Sequence, residues 1–251
     1  MKSQYAFDTA GTVEWIRDGE RFRDAVSPAL LQRGLYQAAR IRTGKNYQRR
    51  VNYEGYYWCA ATEAQVWFES LLERSVLMLL DHAADIMAVS SQPMRLTVGE
   101  HSHIPDYLAM HADGSQTVID VKPARRVERA RDQFEMTAKV CAAVGWGYRV
   151  HTELSEQQRT NLEFLSYFKN PVYAPTGHAS ALVDAAFRDG LTFGELAVAV
   201  PAARLADARA IALHMLWSRT YTFDLGTRLT NQTSLHRPTT FGMEAIDAIR
   251  Q

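Results

Sequence analysis

Two short stretches, Ile104-Pro105-Asp106-Tyr107 and Val118-Ile119-Asp120-Val121-Lys122-Pro123, decide the fold that this sequence predicts. Asp113-Gly114 lies between them and is a strong signal for a tight turn. The segments that flank the turn, 106–110 and 117–121, are mostly apolar, as is typical of strands that pack in a core. The sequence therefore predicts a β-hairpin whose two open ends carry the two stretches.

The charged side chains of this hairpin suit the hydrolysis of a phosphodiester bond. The hairpin brings Asp106 and Asp120 together, and carboxylates can hold Mg²⁺, which activates water and offsets charge in the transition state. The backbone carbonyl of Val121 is a further predicted ligand. Lys122 shares a strand face with Asp120, so its ammonium can orient or deprotonate the attacking water, or stabilise the developing charge. The pattern predicts a metal-dependent nuclease; the alternative is a surface hairpin with a weak Asp120–Lys122 ion pair.

A helix predicted over 62–80 supplies candidates for a third acidic ligand. Its apolar residues recur at three- and four-residue spacing, and Thr62 is the predicted N-cap. Glu69 and Glu73 fall on a mostly apolar flank of this helix, where a carboxylate must find a partner. A metal ion is one such partner; water or an arginine at the edge of the helix is the alternative. Helical geometry leaves both acids as candidates.

The remaining elements before residue 160 predict a layered α/β fold. Turn signals and hydrophobic periodicity give one or two short helices over 12–42, strand-forming residues at 51–60, strands at 86–89 and 94–98, a helix over 126–144 and a strand at 148–152. This order predicts an α/β sandwich with a mixed central sheet flanked by helices.

A break at Asn170-Pro171 predicts a domain boundary, with domains at 1–170 and 171–251. The second domain has predicted helices at 178–188, 192–199 and 202–217, followed by a strand at 221–225. Three helices followed by strands are typical of a winged-helix domain, with the third helix in the recognition position. That helix carries acidic as well as basic side chains, so packing or protein docking is an equally good interpretation.

The charge distribution suits a cation site between basic flanks, with random fluctuation in a neutral protein as the alternative. The formal net charge is zero, yet residues 1–60 carry 10 basic and 6 acidic side chains, whereas residues 61–122 carry 3 basic and 9 acidic ones. The basic segment 40–50 includes the candidate DNA-binding residues Arg42, Lys45, Arg49 and Arg50. These side chains and the aromatics that follow them can bind nucleic acid, or they can form a solvated surface arm.

Two cysteines, Cys59 and Cys141, are too few for a disulfide framework or a structural zinc site. The first residues lack the apolar run of a signal peptide, and no apolar stretch approaches the ~20 residues of a transmembrane helix. The expectation is a cytoplasmic, reduced protein with no membrane partner.

Residues 40–235 resemble the TnsA family, the endonuclease subunits of heteromeric transposases. The likeness is carried by the acidic stretch 68–81, by Ser91-Gln92-Pro93, and by 103–107 and 120–124. It implies a restriction-endonuclease-like core of the PD-(D/E)xK type and a winged-helix C-terminal domain. It also implies a Mg²⁺ cofactor, for which Mn²⁺ substitutes.

The resemblance assigns roles to individual residues. The distance of the family's helix acid from the glutamine turn, here at Gln92, selects Glu73 over Glu69. Asp106 corresponds to the metal-bridging aspartate and Lys122 to the catalytic lysine. Asp120 departs from the best-known member, which has glutamine at this position, and the departure restores the fuller nuclease motif. The implied site is therefore Glu73, Asp106, Asp120 and Lys122.

The resemblance also implies partners. Family members cut transposon 5′ ends in DNA, a DDE-type transposase subunit cuts and joins the 3′ ends, and an AAA+ ATPase regulator docks on the C-terminal domain. Two alternatives remain open: a stand-alone restriction or repair nuclease, and an inactive nuclease fold retained as a DNA- or protein-binding scaffold.

Overall fold

The protein has a mixed α/β fold, described by a computed structural model over residues 11–41, 53–83 and 85–239. The strands are β1 (Gly11–Arg17), β2 (Glu20–Ala25), β3 (Gly55–Cys59), β4 (Ala64–Phe68), β5 (Ile86–Ser91), β6 (Met94–Val98), β7 (His101–His103), β8 (Tyr107–His111), β9 (Gln116–Val121) and β10 (Gly147–His151). The α-helices are α1 (Leu71–Ala83), α2 (Ala124–Val127), α3 (Arg131–Val144), α4 (Glu156–Ser166), α5 (Gly177–Ala186), α6 (Phe193–Ala199) and α7 (Leu205–Trp217). Short 3-10 helices lie at Pro28–Gln32, Leu35–Gln37, Glu128–Ala130 and Pro171–Tyr173.

Two four-stranded sheets organise the described chain. One has the strand order β2-β1-β6-β7 and is antiparallel throughout. The other has the order β10-β9-β8-β5, in which β9 and β10 are parallel and the remaining pairs are antiparallel. Parallel strands need a crossover connection, and α2 and α3 provide it. The second sheet is the predicted mixed sheet.

The predicted hairpin is confirmed. Gly114 has φ 82°, its N–H donates to the carbonyl of His111, and the Asp113 carboxylate accepts from the N–H of Ser115. Tyr107 pairs with Ile119 across β8 and β9.

The prediction of helix over 12–42 is wrong. These residues form the β1–β2 hairpin, followed by two short 3-10 helices, the first of which begins at Pro28. Asp18 and Gly19, with φ 52° and 81°, form the two-residue turn, so that Arg17 pairs with Glu20. Positive φ at both central residues matches the twist of the flanking strands.

The prediction of one helix over 62–80 is wrong in its first half. Residues 64–68 form β4, which pairs with β3, and α1 begins only at Leu71. Thr62 is therefore not the N-cap. Ser70 caps the helix instead, because its Oγ accepts from the N–H of Glu73 at 3.2 Å.

Buried apolar side chains hold the β8–β9 hairpin against α3. The members of this core come from β1, β6, β8, β9, α3, the first two 3-10 helices and the residues that directly follow these helices: Val13, Trp15, Leu30, Leu35, Ala38, Met94, Leu96, Leu108, Val118, Val140, Cys141, Val144 and Trp146. Gly145, with φ 94°, ends α3 as the sequence predicted. The core therefore packs against the middle of the β8–β9 hairpin, where Leu108 pairs with Val118.

The described residues divide into two compact units. The first takes 11–41, 53–57, 65–74 and 86–153, and the second takes the rest. Residues 154–170, with α4, thus group with the C-terminal helices, whereas the sequence placed the boundary at 170. Among the described residues, no helix is both long and apolar enough to cross a bilayer.

The C-terminal unit is helical, and α6 begins with a capping box formed by Thr192 and Glu195. The predicted strand at 221–225 is wrong: Thr222 makes only an isolated bridge to His236. Arg204, the N-cap residue of α7, pairs with Asp207 at 2.8 Å, and Arg209 within the helix donates to the side chain of Asn231 at 2.9 Å. Arg42, Lys45, Arg49 and Arg50 lie outside the described residues.

Candidate active site

Asp106 is fixed between two strands of the mixed sheet. The β8–β9 register, continued by one residue beyond Tyr107, places Asp106 opposite Asp120. Its Oδ2 accepts from the N–H of Val121 at 2.7 Å, and its carbonyl oxygen accepts from the N–H of Gln92 at 2.8 Å. The carboxylate is therefore held at one end of the sheet, as the sequence predicted.

The surroundings of Asp106 disfavour its charge. Burial raises the pKa of Asp106 well above its ordinary value, and the charges of Asp120 and Glu73 raise it further. The Val121 N–H and the Lys122 ammonium act in the opposite direction. Asp106 therefore lies within the electrostatic reach of all three predicted partners.

Asp120 is buried, with 1% of its surface exposed, and both of its oxygens are hydrogen-bonded. Oδ1 lies 2.8 Å from Nε2 of His103, and Oδ2 accepts from the Tyr148 hydroxyl at 2.6 Å. Burial and then the charge of Asp120 raise the pKa of Tyr148, so this hydroxyl stays a donor. A buried carboxylate is stable only with such partners.

His103 and Tyr148 are site residues that the sequence did not reveal. His103 ends β7, three residues before Asp106, and offered no spacing signal of its own. Tyr148 reaches Asp120 because β10 pairs in parallel with β9, with Tyr148 opposite Val118. Only that pairing could have identified it.

Glu73 has a structural role at the start of α1. Its Oε2 accepts from the N–H of Glu69 at 2.8 Å and its Oε1 accepts from the Ser70 hydroxyl at 2.9 Å. Burial raises the pKa of Glu73, although these two donors lower it. The Tyr107 hydroxyl donates to the carbonyl of Trp67 at 3.4 Å and also acts to lower the pKa of Glu73, so the start of α1 lies next to β8. Glu69 lies before the first residue of α1. The helical geometry used to compare Glu69 with Glu73 therefore applies only to Glu73.

Lys122 follows β9 directly and is half-buried. Its backbone N–H donates to the carbonyl of His151 at 2.8 Å, which continues the parallel β9–β10 pairing by one residue. Its positive charge lowers the pKa of Asp106. The ammonium therefore acts electrostatically on Asp106.

The oxygen donors of this site fit a hard divalent cation that also uses ligands from outside the chain. In the described part of the chain, no three or more His, Cys, Asp or Glu side chains form a metal-binding group. Mg²⁺ commonly takes one or two carboxylates and completes its shell with water and substrate phosphate. Gln92, bonded through its backbone to Asp106, has a buried Oε1 without a hydrogen-bond partner.

No protein-family model matches this chain, and no curated protein sequence is significantly similar to it.

Proposed function

We propose that this protein is a Mg²⁺-dependent DNA endonuclease, the TnsA-like subunit of a heteromeric transposase. The observation that carries the proposal is the pairing of Asp106 with Asp120 at one end of the mixed sheet, with Lys122 beside them. The charges of Asp120 and Glu73 disfavour ionisation of Asp106, and a bound cation would offset that repulsion. Metal-dependent hydrolysis of a phosphodiester can use such a cluster of carboxylates beside an ammonium.

Each residue has a proposed role. Asp106 and Asp120 would hold the metal, with Glu73 and the carbonyl of Val121 as further ligands, and Mn²⁺ would substitute for Mg²⁺. The bound metal would supply an activated water and charge neutralisation at the scissile phosphate. Lys122 orients the attacking water or stabilises the charge that develops on the phosphate.

The finer architecture belongs to the same proposal. A mixed sheet that carries the acids at its end, with a crossover through α2 and α3, supports a restriction-endonuclease-like core. Three helices, α5 to α7, support a winged-helix-like C-terminal domain. The proposed partners are DNA, a DDE-type transposase subunit and an AAA+ ATPase regulator that docks on the C-terminal domain.

A second candidate function, an inactive nuclease fold that serves as a scaffold, is favoured by a specific observation. Both oxygens of Glu73 cap α1, and both oxygens of Asp120 are bonded to His103 and Tyr148. In a scaffold these carboxylates would hold the fold together and bind no metal.

Strand-specific cleavage tests the proposal. The full chain is incubated with its partner transposase, Mg²⁺ and end-labelled transposon-end DNA. We expect nicks at the 5′ ends that disappear in Asp106→Asn. Asp113→Asn is the matched control, because it neutralises an exposed carboxylate in the turn of the same hairpin. Nicking that persists in Asp106→Asn contradicts the proposal. Cutting of generic DNA without the partner would identify a stand-alone nuclease.

A further inference from the structure

A run of exposed arginines follows the candidate catalytic lysine directly. Residues 122–131 carry five basic side chains and one acidic one. Arg125, Arg126, Arg129 and Arg131 are all exposed. This basic segment lies on the crossover between β9 and β10.

The backbone of the segment places three of these side chains on one face. From Ala124 to Val127 the chain is α-helical, and the 3-10 helix that follows, Glu128–Ala130, continues in the right-handed helical region. Residues three and four apart on a helix lie on the same face. Arg129 therefore shares a face with both Arg125 and Arg126.

Two of the arginines are available for a ligand. Arg131 is paired with Glu128 at 2.7 Å, and the charge of Arg125 acts on Glu153, whose carboxylate also accepts from the N–H of Ala124. Within the part of the chain that the structure describes, Arg126 and Arg129 take part in no ion pair. Unpaired exposed guanidinium groups are strong ligands for phosphate, because their planar fork donates two hydrogen bonds to it.

We propose that Arg126 and Arg129, supported by Arg125, bind backbone phosphates of duplex DNA beside the scissile bond. The inference rests on the proposed nuclease function, since it is Lys122 that locates the scissile phosphate next to this face. The segment from Arg125 to Arg129 rises about 6 to 8 Å, and duplex DNA carries one phosphate charge per ~1.7 Å of its axis. Several phosphates thus come within reach of the arginine face, and the contacts carry no sequence information.

The other arginine-bearing helix near the C-terminus is a weaker candidate. At the N-cap of α7 the guanidinium of Arg204 is paired with Asp207, and within the helix Arg209 donates to the side chain of Asn231 at 2.9 Å. The arginine face of 125–129 is the more accessible site for an anion.

Salt-dependent binding tests the inference. The affinity of the full chain for a fluorescent duplex of arbitrary sequence is measured by anisotropy in EDTA, over about 50 to 200 mM salt. In Arg126→Ala/Arg129→Ala we expect binding to weaken on the order of tenfold. We also expect the negative slope of log K against log salt to become shallower by about 2. Arg126→Lys/Arg129→Lys should keep most of the slope, because the charges remain.

The control is Arg21→Ala/Arg23→Ala, which removes the same charge from exposed arginines on β2. Equal losses in the two double variants, or no loss in either, overturn the inference. Unchanged melting temperatures verify that both variants are folded. Because the assay contains no divalent metal, it is independent of cleavage. Arginine-dependent binding by a protein that never cuts would refute the nuclease proposal alone, and normal cutting with unaltered binding in Arg126→Ala/Arg129→Ala would refute this inference alone.

Discussion

The position of Asp106 in the fold favours the neutral form of its carboxyl group, whereas its proposed function needs the anion. Burial, Asp120 and Glu73 all raise its pKa. The folded state therefore binds the proton more tightly than the unfolded state does, and this contribution to stability is complete below the ordinary carboxyl pKa and is lost as the pH rises through the raised one.

Asp106→Asn should consequently stabilise the protein at pH values above the raised pKa. Asn keeps an oxygen that can accept from the Val121 N–H while removing the unfavourable charge. We expect a gain in the free energy of unfolding of about 1.4 kcal/mol for each unit by which the pKa is raised, and no gain below the ordinary pKa. Urea titrations of both proteins across this pH range measure it. A variant that is less stable than the wild type at high pH would show that the charge of Asp106 is favourable.

Tyr148→Phe should weaken the hold on Asp120. The change removes the hydroxyl that donates to Oδ2 at 2.6 Å and leaves one oxygen of a buried carboxylate without that donor. We expect a loss of about 1 to 3 kcal/mol in the free energy of unfolding and slower nicking. Tyr167→Phe, at a tyrosine with 77% of its surface exposed, is the control and should change neither quantity. Equal behaviour of the two variants would mean that Tyr148 does not support the site.

At the scale of an element, the turn of the β8–β9 hairpin lies at the opposite end from Asp106 and Asp120. A substitution in the turn should therefore change the stability of the protein without changing its proposed chemistry. Gly114→Ala introduces a Cβ at φ 82° in open space, so the cost is backbone strain without a clash. We expect a loss of about 1 to 2 kcal/mol in unfolding free energy with the nicking rate unchanged. Gly114→Asn should cost less, since asparagine tolerates left-handed backbone. A large fall in nicking by folded Gly114→Ala would contradict this separation.

The two hairpins show where local sequence signals suffice and where they fail. Asp113-Gly114 was a usable turn signal because apolar strands flank it, whereas Asp18-Gly19 is followed by Glu20–Ala25, a strand without a buried residue. That strand has no apolar face for periodicity to detect. The alternation in Gly11–Arg17 was the available sign of a strand.

The sequence did not predict the boundary between β4 and α1, for a different reason. Val66, Trp67 and Phe68 are apolar and continue in sequence into the apolar residues of α1, so that a strand and a helix together imitate one long helix. Ser70 with Glu73 is a helix-start signature of the Ser-x-x-Glu type, and it marks the true boundary. Asp106, Asp120 and Lys122 were predictable because one turn brings the strands together. The contacts of His103 and Tyr148 depend on long-range pairing, which no local pattern contains.

At the scale of the whole molecule, Mg²⁺ should stabilise the folded protein if the carboxylates bind it. A ligand that binds only the native state adds about 2.7 kcal/mol to the free energy of unfolding at 100 times its Kd. Each added kcal/mol raises the Tm of a protein of this size by about 2 to 4 °C. We expect this rise in the wild type and its near absence in Asp106→Asn, with calorimetric scans at matched ionic strength as the measurement. A Tm that does not respond to Mg²⁺ or Mn²⁺ in the millimolar range would favour the scaffold function.

The tight turn between β8 and β9 has a consequence for the order in which the protein folds. Asp106 and Asp120 are 14 residues apart in sequence and lie opposite each other across this hairpin. Contacts that are close in sequence form with little loss of chain entropy. Tyr148 lies 28 residues from Asp120, and Glu73 lies still farther from Asp106, so their contacts must close longer loops. We expect pulse-labelling hydrogen exchange to protect the amides of β8 and β9 before those of β10 and of the start of α1. The Asp106–Asp120 pair would then form first, and Tyr148 and Glu73 would join it later.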